Sequence, residues 1–420
     1  MLKVVPLKKL LNINMKYLKA LLYTLIVTCS SGQTFTNFTS TDGLVDDNVT
    51  CGTYQGNGIL WFGTQNGISK FDGVNWTNFT NATDTNLISN TITAIKTTTN
   101  GDLWVGTDFG VCKYANSMWT CFTTADGLGD DRVKYIEQSA DGRIWIGEYD
   151  GLSIYDGANW TTYNLSDGLP FGGIQYITFD DNDDAWLGSG FGGFIYFDHT
   201  NFTVYNANDG LLNNIVNGIA IDSQNKKWVG SSSGISIFDN QNLWEKNHTM
   251  MYLLPPPDTL NPVMDLVFDS QNLLWVGIYV DYLLDGGVAM YNGYSWVDFN
   301  MSDGLVGPVI SDLIIDDQDQ VWVTTSSGIS KITDVPAHIP KSFEDKISIY
   351  PNPSNGELVI NSHNNSNFNL SIISISGEIL TQFEFFSSLQ IINLPLSSGI
   401  YILELMDEEN NIFHKKIIRN

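Results

Sequence analysis

The chain has 420 residues, 43% hydrophobic and 12% aromatic, which is enough for a large core or two domains and excludes a disordered polymer. Its 46 acidic against 20 basic residues give a formal charge of −26, which argues against nucleic acid or an anionic lipid surface as a partner. Such a surface could attract Ca²⁺, but acidity alone makes no metal site, and no cofactor is expected.

The N-terminal segment has the order of an export signal. Lys16 and Lys19 precede the apolar run ALLYTLIVTC (20–29), and small residues follow in SSG (30–32). That run is too short to span a bilayer, and charge, apolar core and small residues in this order mark a signal peptide. Residues 1–32 are expected to be removed near Gly32–Gln33, whether translation starts at Met1 or Met15. A lipoprotein signal would use Cys29, but IVTC lacks the small residue that usually precedes a lipidated cysteine. No other segment is apolar for long enough to cross a membrane.

One pattern then recurs along the chain. Trp61, Trp104, Trp145, Trp186, Trp228, Trp275 and Trp322 occupy equivalent positions, at spacings of 43, 41, 41, 42, 47 and 47 residues. A period of this size marks stacked supersecondary units. Each unit has a β-branched run such as VKYIEQS (133–139), a polar turn, a strand such as RIWIG, a glycine-containing turn, LSIYDG, another turn and WTTY. These read as four short strands joined by tight turns, and repeated four-stranded antiparallel units predict a β-propeller. The tryptophan and following glycine of W-V-G are expected to pack blade on blade, the glycine allowing close passage. The last unit (308–335) holds only three strands, and TFTNF (34–38) supplies the fourth, which would close the ring and remove its exposed edges.

The expected fold is therefore all-β: a seven-bladed β-propeller over 33–335, closed by an N-terminal strand, then a linker over 336–346 and a small β-sandwich over 347–420. Cys112 and Cys121 flank a turn and could face each other on two antiparallel strands. A disulfide is permitted in an exported protein, and two free thiols fit equally well. Cys51 has no evident mate.

With D-G-L at 42–44, 126–128, 167–169, 209–211 and 303–305, the units resemble two-component regulator propeller repeats over 34–335. In that family such propellers often serve as extracytoplasmic sensor domains of membrane histidine kinases. This chain has no kinase region and no second membrane segment, so the resemblance implies the fold more than signalling.

The last segment departs from the repeat. YPNPSNG (350–356), SSGIYILEL (397–405) and KKIIR (415–419) resemble the type IX secretion (Por) C-terminal sorting domain. The matching signal residues are Pro351, Asn352, Pro353, Gly356, Gly399, Tyr401, Lys415 and Lys416. The resemblance implies a small β-sandwich that directs cargo across the outer membrane of Bacteroidetes-type bacteria and is usually removed. It also implies the type IX machinery as a partner, and a protein that is secreted or sits on the outer-membrane surface.

Function is sought among residues that break the repeat, since the repeated ones are architectural. Most turns between the second and third strands are plain, such as TQNG and SSSG. Others carry Phe109, Glu148 with Tyr149, and Phe191, and the longest carries Tyr279, Asp281, Tyr282 and Asp285. The preceding loop at 247–262 is also long, and long loops on a rigid scaffold are where binding usually lives. Aromatic faces beside carboxylates suit sugar rings, and concave openings suit ligands in general. The runs DDNDD (180–184) and DDQDQ (316–320) lack the glycine and distal glutamate of a Ca²⁺ loop and occupy hairpin turns, where Asp and Asn are favoured. No nucleophile elbow, phosphate loop or zinc motif is present. Two readings follow. The first is a secreted or surface binding module for glycan or protein. The alternative is an extracellular glycan-active hydrolase or lyase using top-face carboxylates. The first is favoured because no general acid or base stands out.

Overall fold

The computed structural model describes residues 33–239, 243–249, 251, 261–293, 296–333, 347–350, 356–362, 368–374, 379–385, 389–393, 397–407 and 412–419. The expected leader (1–32) and linker (336–346) lie outside the described residues. The chain divides into two compact units, Met1–Met290 with Val297–Pro336, and Ala337–Asn420 with Tyr291–Trp296.

Seven four-stranded antiparallel sheets follow the repeat. We number them as blades 1 (49–79), 2 (92–122), 3 (133–163), 4 (174–205), 5 (216–248), 6 (263–299) and 7 (310–333 with 34–38). The first strand of each blade packs against the first strand of the next, and that of blade 7 against that of blade 1, so these strands form a closed ring. The chain closes blade 7 from its other end. Thr34–Phe38 pairs antiparallel with Gly328–Thr333, from Thr34 opposite Thr333 to Phe38 opposite Ile329. The Phe38 ring stacks on Trp322 at 5.7 Å.

The repeated residues have separate physical jobs. The tryptophan lies buried between blades, and its indole N–H needs an acceptor there. The residue six positions earlier supplies one: Trp186 Nε1 donates to Asp180 Oδ2 at 3.0 Å, Trp275 to Asp269 at 3.1 Å and Trp322 to Asp316 at 2.9 Å. The glycine two residues after the tryptophan faces the next blade. A Cβ on Gly277 would meet Ile310 Cγ2 of blade 7 at 2.7 Å, so only glycine admits that approach. In D-G-L the aspartate closes a 3₁₀ turn by accepting from the backbone N–H three residues earlier, as Asp126 does from Thr123 at 2.9 Å. Gly127 then takes φ +110°, and Leu128 is buried.

The acidic hairpin turns are stitches between blades. Asp183 and Asp319 stand at φ +63° and +56°. Their carboxylates accept from Ala140 N at 2.9 Å and Ser270 N at 3.0 Å in the preceding blade. Among the described residues no group of three His, Cys, Asp or Glu is arranged to hold a metal. Cys112 and Cys121 stand opposite each other on adjacent strands and form a disulfide, while Cys51 is free and buried.

The second unit has two sheets. Ile347–Tyr350, Glu357–Ser362 and Leu389–Asn393 form one; Ile379–Phe385, Phe368–Ser374, Gly399–Asp407 and Ile412–Arg419 form the other. Residues of both meet in one core, with Leu358, Ile360 and Ile392 from the first and Leu370, Ile372, Leu403 and Leu405 from the second. This is a small β-sandwich. Of the expected signal residues, Pro351, Asn352 and Pro353 lie outside the described residues. Gly356 adopts φ +116°, Gly399 pairs with Arg419, and Tyr401 donates its hydroxyl to Ser397 O at 2.9 Å. Lys415 and Lys416 stand in the last strand, opposite Leu403 and Ile402.

Candidate functional site

The turns between second and third strands meet the loops that enter the first strands, so both share one face of the ring. Tyr149 N, for example, donates to Arg132 O at 3.0 Å. In five blades the turn is closed by a Thr or Ser that ends the second strand. Thr107 Oγ1 donates to Gly110 O at 2.9 Å and accepts from Phe109 N at 3.0 Å, which leaves the Phe109 ring outside the turn.

Three consecutive blades present aromatic rings here. Phe109 of blade 2 is 62% exposed, Tyr149 of blade 3 is 48% exposed and Phe191 of blade 4 is 62% exposed. Phe171, on the loop entering blade 4, is 71% exposed and stacks on Phe191 at 6.2 Å. It was not singled out from the sequence, although LPFGG interrupts the usual polar stretch after D-G-L. Charged groups lie between the rings. Arg132 donates two hydrogen bonds to Asp130, at 2.9 and 2.5 Å, and one to Asp150 at 2.8 Å. Its guanidinium lies 4.0 Å from the Tyr149 ring centroid. Lys134 Nζ is 3.5 Å from Asp108, the neighbour of Phe109. Partial burial opposes ionisation of Asp130, but hydrogen bonds from Arg132 outweigh it and hold the carboxyl below its usual range.

Glu148 requires a correction. Its turn position suggested a ligand-facing carboxylate, but the side chain is 1% exposed. It ends the strand Ile144–Glu148, where other blades carry an inward Thr or Ser, such as the buried Thr64, Thr107 and Ser231. Its Oε1 accepts from Gly129 N at 3.3 Å, and Gly129 N also donates to Ser153 Oγ at 2.9 Å. Glu148 thus fastens the loop that carries Asp130 and Arg132. Burial pushes its pKa up to about 7.

The blade 6 turn stands apart from this group, three blades round the ring from blade 3. Tyr279 and Asp285 are half-buried there, and Asp281 is exposed at the start of the 3₁₀ turn Asp281–Leu283. The side chain of Tyr282 and most of the 247–262 loop lie outside the described residues.

A second concavity runs along the ring axis, a cavity of about 530 Å³ lined by the first strands. Each first strand carries a β-bulge near its start. The residue just after the bulge is small in blades 1, 2 and 5 (Cys51, Ala94, Gly218). It is tyrosine in blades 3 and 4 (Tyr135, Tyr176) and aspartate in blades 6 and 7 (Asp265, Asp312). The tyrosine rings lie 4.4 Å apart. The aspartates converge: Leu313 N donates to Asp265 Oδ2 at 2.9 Å and to Asp312 Oδ1 at 3.0 Å, and Gly52 N donates to Asp312 Oδ2 at 2.7 Å. Leu313 N reaches both carboxyl groups, so the two adjoin, and like charges held this close in a buried place favour a proton on one of them. Burial raises both above the ordinary carboxyl range, and for Asp312 the charge of Asp265 adds to it. The next layer holds the ion pair of Lys96 with Glu137, 2.5 Å apart. Cys51 is buried beside the pair, and burial followed by the Asp312 charge pushes its thiol up to about 12, an unreactive state. The sequence reading missed this ring of residues.

The family model for a secretion system C-terminal sorting domain matches residues 348–419, and that for a two component regulator propeller matches residues 86–109. The sorting-domain match marks the chain for export to the cell surface or the medium. No curated protein matches the chain. Among solved structures, PorZ of Porphyromonas gingivalis, an essential bacterial surface component of the type-IX secretion system, is 18% identical with a TM-score of 0.56; the match covers 90% of this chain and 60% of that one. The extracellular domain of the putative hybrid two component system BT3049 from B. thetaiotaomicron is 18% identical with a TM-score of 0.61, covering 92% and 54%. Virginiamycin B lyase from Staphylococcus aureus is 13% identical with a TM-score of 0.57, covering 72% and 99%. The chain thus spans about 60% and 54% of the lengths of the first two structures. At these identities the likeness shows the β-propeller fold alone.

Proposed function

We propose that this chain, after loss of residues 1–32, works as an exported propeller that binds a glycan or a protein on the face carrying Phe109, Tyr149, Phe171 and Phe191, without transforming it. One observation carries this reading: exposed aromatic rings stand at or beside the same turn in three consecutive blades, where other blades have Asn66, Ser233 or Ser327. Exposed rings gathered on one face cost solubility and form a contact surface. The alternative, a glycan-active hydrolase or lyase, needs free carboxylates on that face. Glu148 is buried, and Asp130 and Asp150 are both engaged by Arg132, which weakens that reading. The structural relatives include a surface component and extracellular domains, which is in keeping with an exposed binding role.

Thermal unfolding of the exported chain against a panel of polysaccharides and candidate surface proteins, with product analysis on the same samples, tests this. A ligand that binds only the folded state raises the midpoint. We expect a shift without products, lost in the triple variant Phe109→Ala, Tyr149→Ala, Phe191→Ala. Products would make this an enzyme, and a shift that survives the triple variant would move the site elsewhere.

A further inference from the structure

We propose that the axial cavity is a second binding site, for a small ligand bearing one primary ammonium group, with the Asp265–Asp312 pair as its counter-ion. Four observations meet here. The pair holds at least one negative charge in a buried place whenever it keeps fewer than two protons, and a buried charge demands a partner. Among the described residues no cation pairs with it. The lysines lining the cavity are engaged elsewhere, Lys96 with Glu137 at 2.5 Å and Lys134 with Asp108 at 3.5 Å. Asp265 is 5% exposed, and its Oδ1 receives no N–H or hydroxyl donor from the protein; Thr93 Oγ1, also in the cavity wall, is buried with no partner. Finally, Tyr135 and Tyr176 line the same cavity, and their rings offer the faces that attract ammonium.

The volume of about 530 Å³ suits a small molecule rather than a polymer. A metal ion fits less well. It would find two carboxylates of whose four oxygens three already accept backbone N–H groups, and among the described residues no third metal-ligating side chain joins them. An ammonium group can donate to Asp265 Oδ1 and to Asp312, and it supplies the positive charge that a proton on the pair otherwise provides.

The exchange is a balanced equilibrium in which the protonated amine enters and the pair releases its proton to solvent. Affinity should therefore climb with pH, about tenfold per unit, until the pair has lost its proton, and level off above that. The other titratable groups facing the pair are Tyr135, Tyr176, Glu137 and Cys51. The tyrosines and the thiol are held protonated by burial, so these three do not imitate this slope, and Glu137 is paired with Lys96.

Calorimetric titration of the exported chain with n-butylamine and phenethylamine, using butan-1-ol and CaCl₂ as controls, tests the proposal across pH 4–9, from the ordinary carboxyl range upward, in buffers of different ionisation heat. We expect saturable amine binding with proton release, no saturable heat from the alcohol, and at least tenfold weaker, pH-independent binding in Asp312→Asn. Absence of saturable heat from both amines, amine binding unchanged in Asp312→Asn, or a flat pH profile of the wild type would each overturn it. So would Ca²⁺ binding that Asp312→Asn abolishes while the amines fail. The wild-type pH profile stands as a test even if Asp312→Asn does not fold.

Discussion

Glu148 shows how one buried carboxyl couples the stability of a blade to the face above it. Its folded pKa of about 7 lies above the ordinary value of about 4.3, so folding favours the neutral form. The stability this confers is complete below about pH 4 and is lost as pH rises through about 7. Glu148→Gln keeps an oxygen to accept from Gly129 N and removes the titration. The variant should match the wild type at pH 4 and exceed it by about 1–3 kcal/mol at pH 8. Denaturant titration at both values decides this, and equal pH slopes in the two proteins would remove Glu148 as the group responsible. The residue also shows a limit of sequence reading. Tyr149 stood out because the plain turn is Gln-Asn or Ser-Ser. Glu148 was grouped with it although its register, equivalent to Thr64 and Thr107, places it inside the blade. A period-2 strand turns one neighbour outward and the other inward, so adjacency in sequence was the wrong guide.

Among the elements, Thr34–Phe38 carries the closure of the ring. Its five backbone pairs cover the edge of Gly328–Thr333, and Phe38 packs against Phe71, Trp76 and Trp322. Most of this strand is exposed, so its hold rests on the ladder and on the partly buried Phe38 and Phe35. Phe38→Ala should cost about 1–3 kcal/mol, less than for a fully buried ring. A chain beginning at residue 39 should unfold earlier still and self-associate through the bared edge. Thermal unfolding with light scattering reads both effects, and a truncated chain with an unchanged midpoint would mean that another contact closes the ring. The missing fourth strand of blade 7 was legible because every other unit displays all four. The axial pair was not legible, because the register of the first strand depends on a bulge, a backbone feature with no fixed residue signature. Asp265 and Asp312 therefore read as ordinary strand aspartates until the bulges align them with Tyr135 and Tyr176.

For the molecule as a whole, the charge of −26 is in large part a consequence of the repeated turns. Asp126, Asp167 and Asp209 each accept a backbone N–H in a D-G-L turn, Asp72, Asp156 and Asp198 do so in the outer hairpins, and Asp183 and Asp319 stitch blades together. A motif that uses an acid for backbone reasons and recurs in most blades drives the net charge down without any acidic binding site. That charge keeps an exported protein soluble but says nothing about where it goes, so its destination rests on the second unit. The sorting signal lies within residues 348–419, and the two units form separate cores. The propeller should therefore fold without the tail. A chain ending at residue 335 should reach the periplasm, remain soluble there, and keep the wild-type propeller unfolding transition. Fractionation of cells carrying the full and shortened chains, followed by unfolding of the purified propeller, tests both parts. Shortened chain at the cell surface would place the sorting information in the propeller. Loss of the unfolding transition would show that the tail completes the fold rather than addressing it.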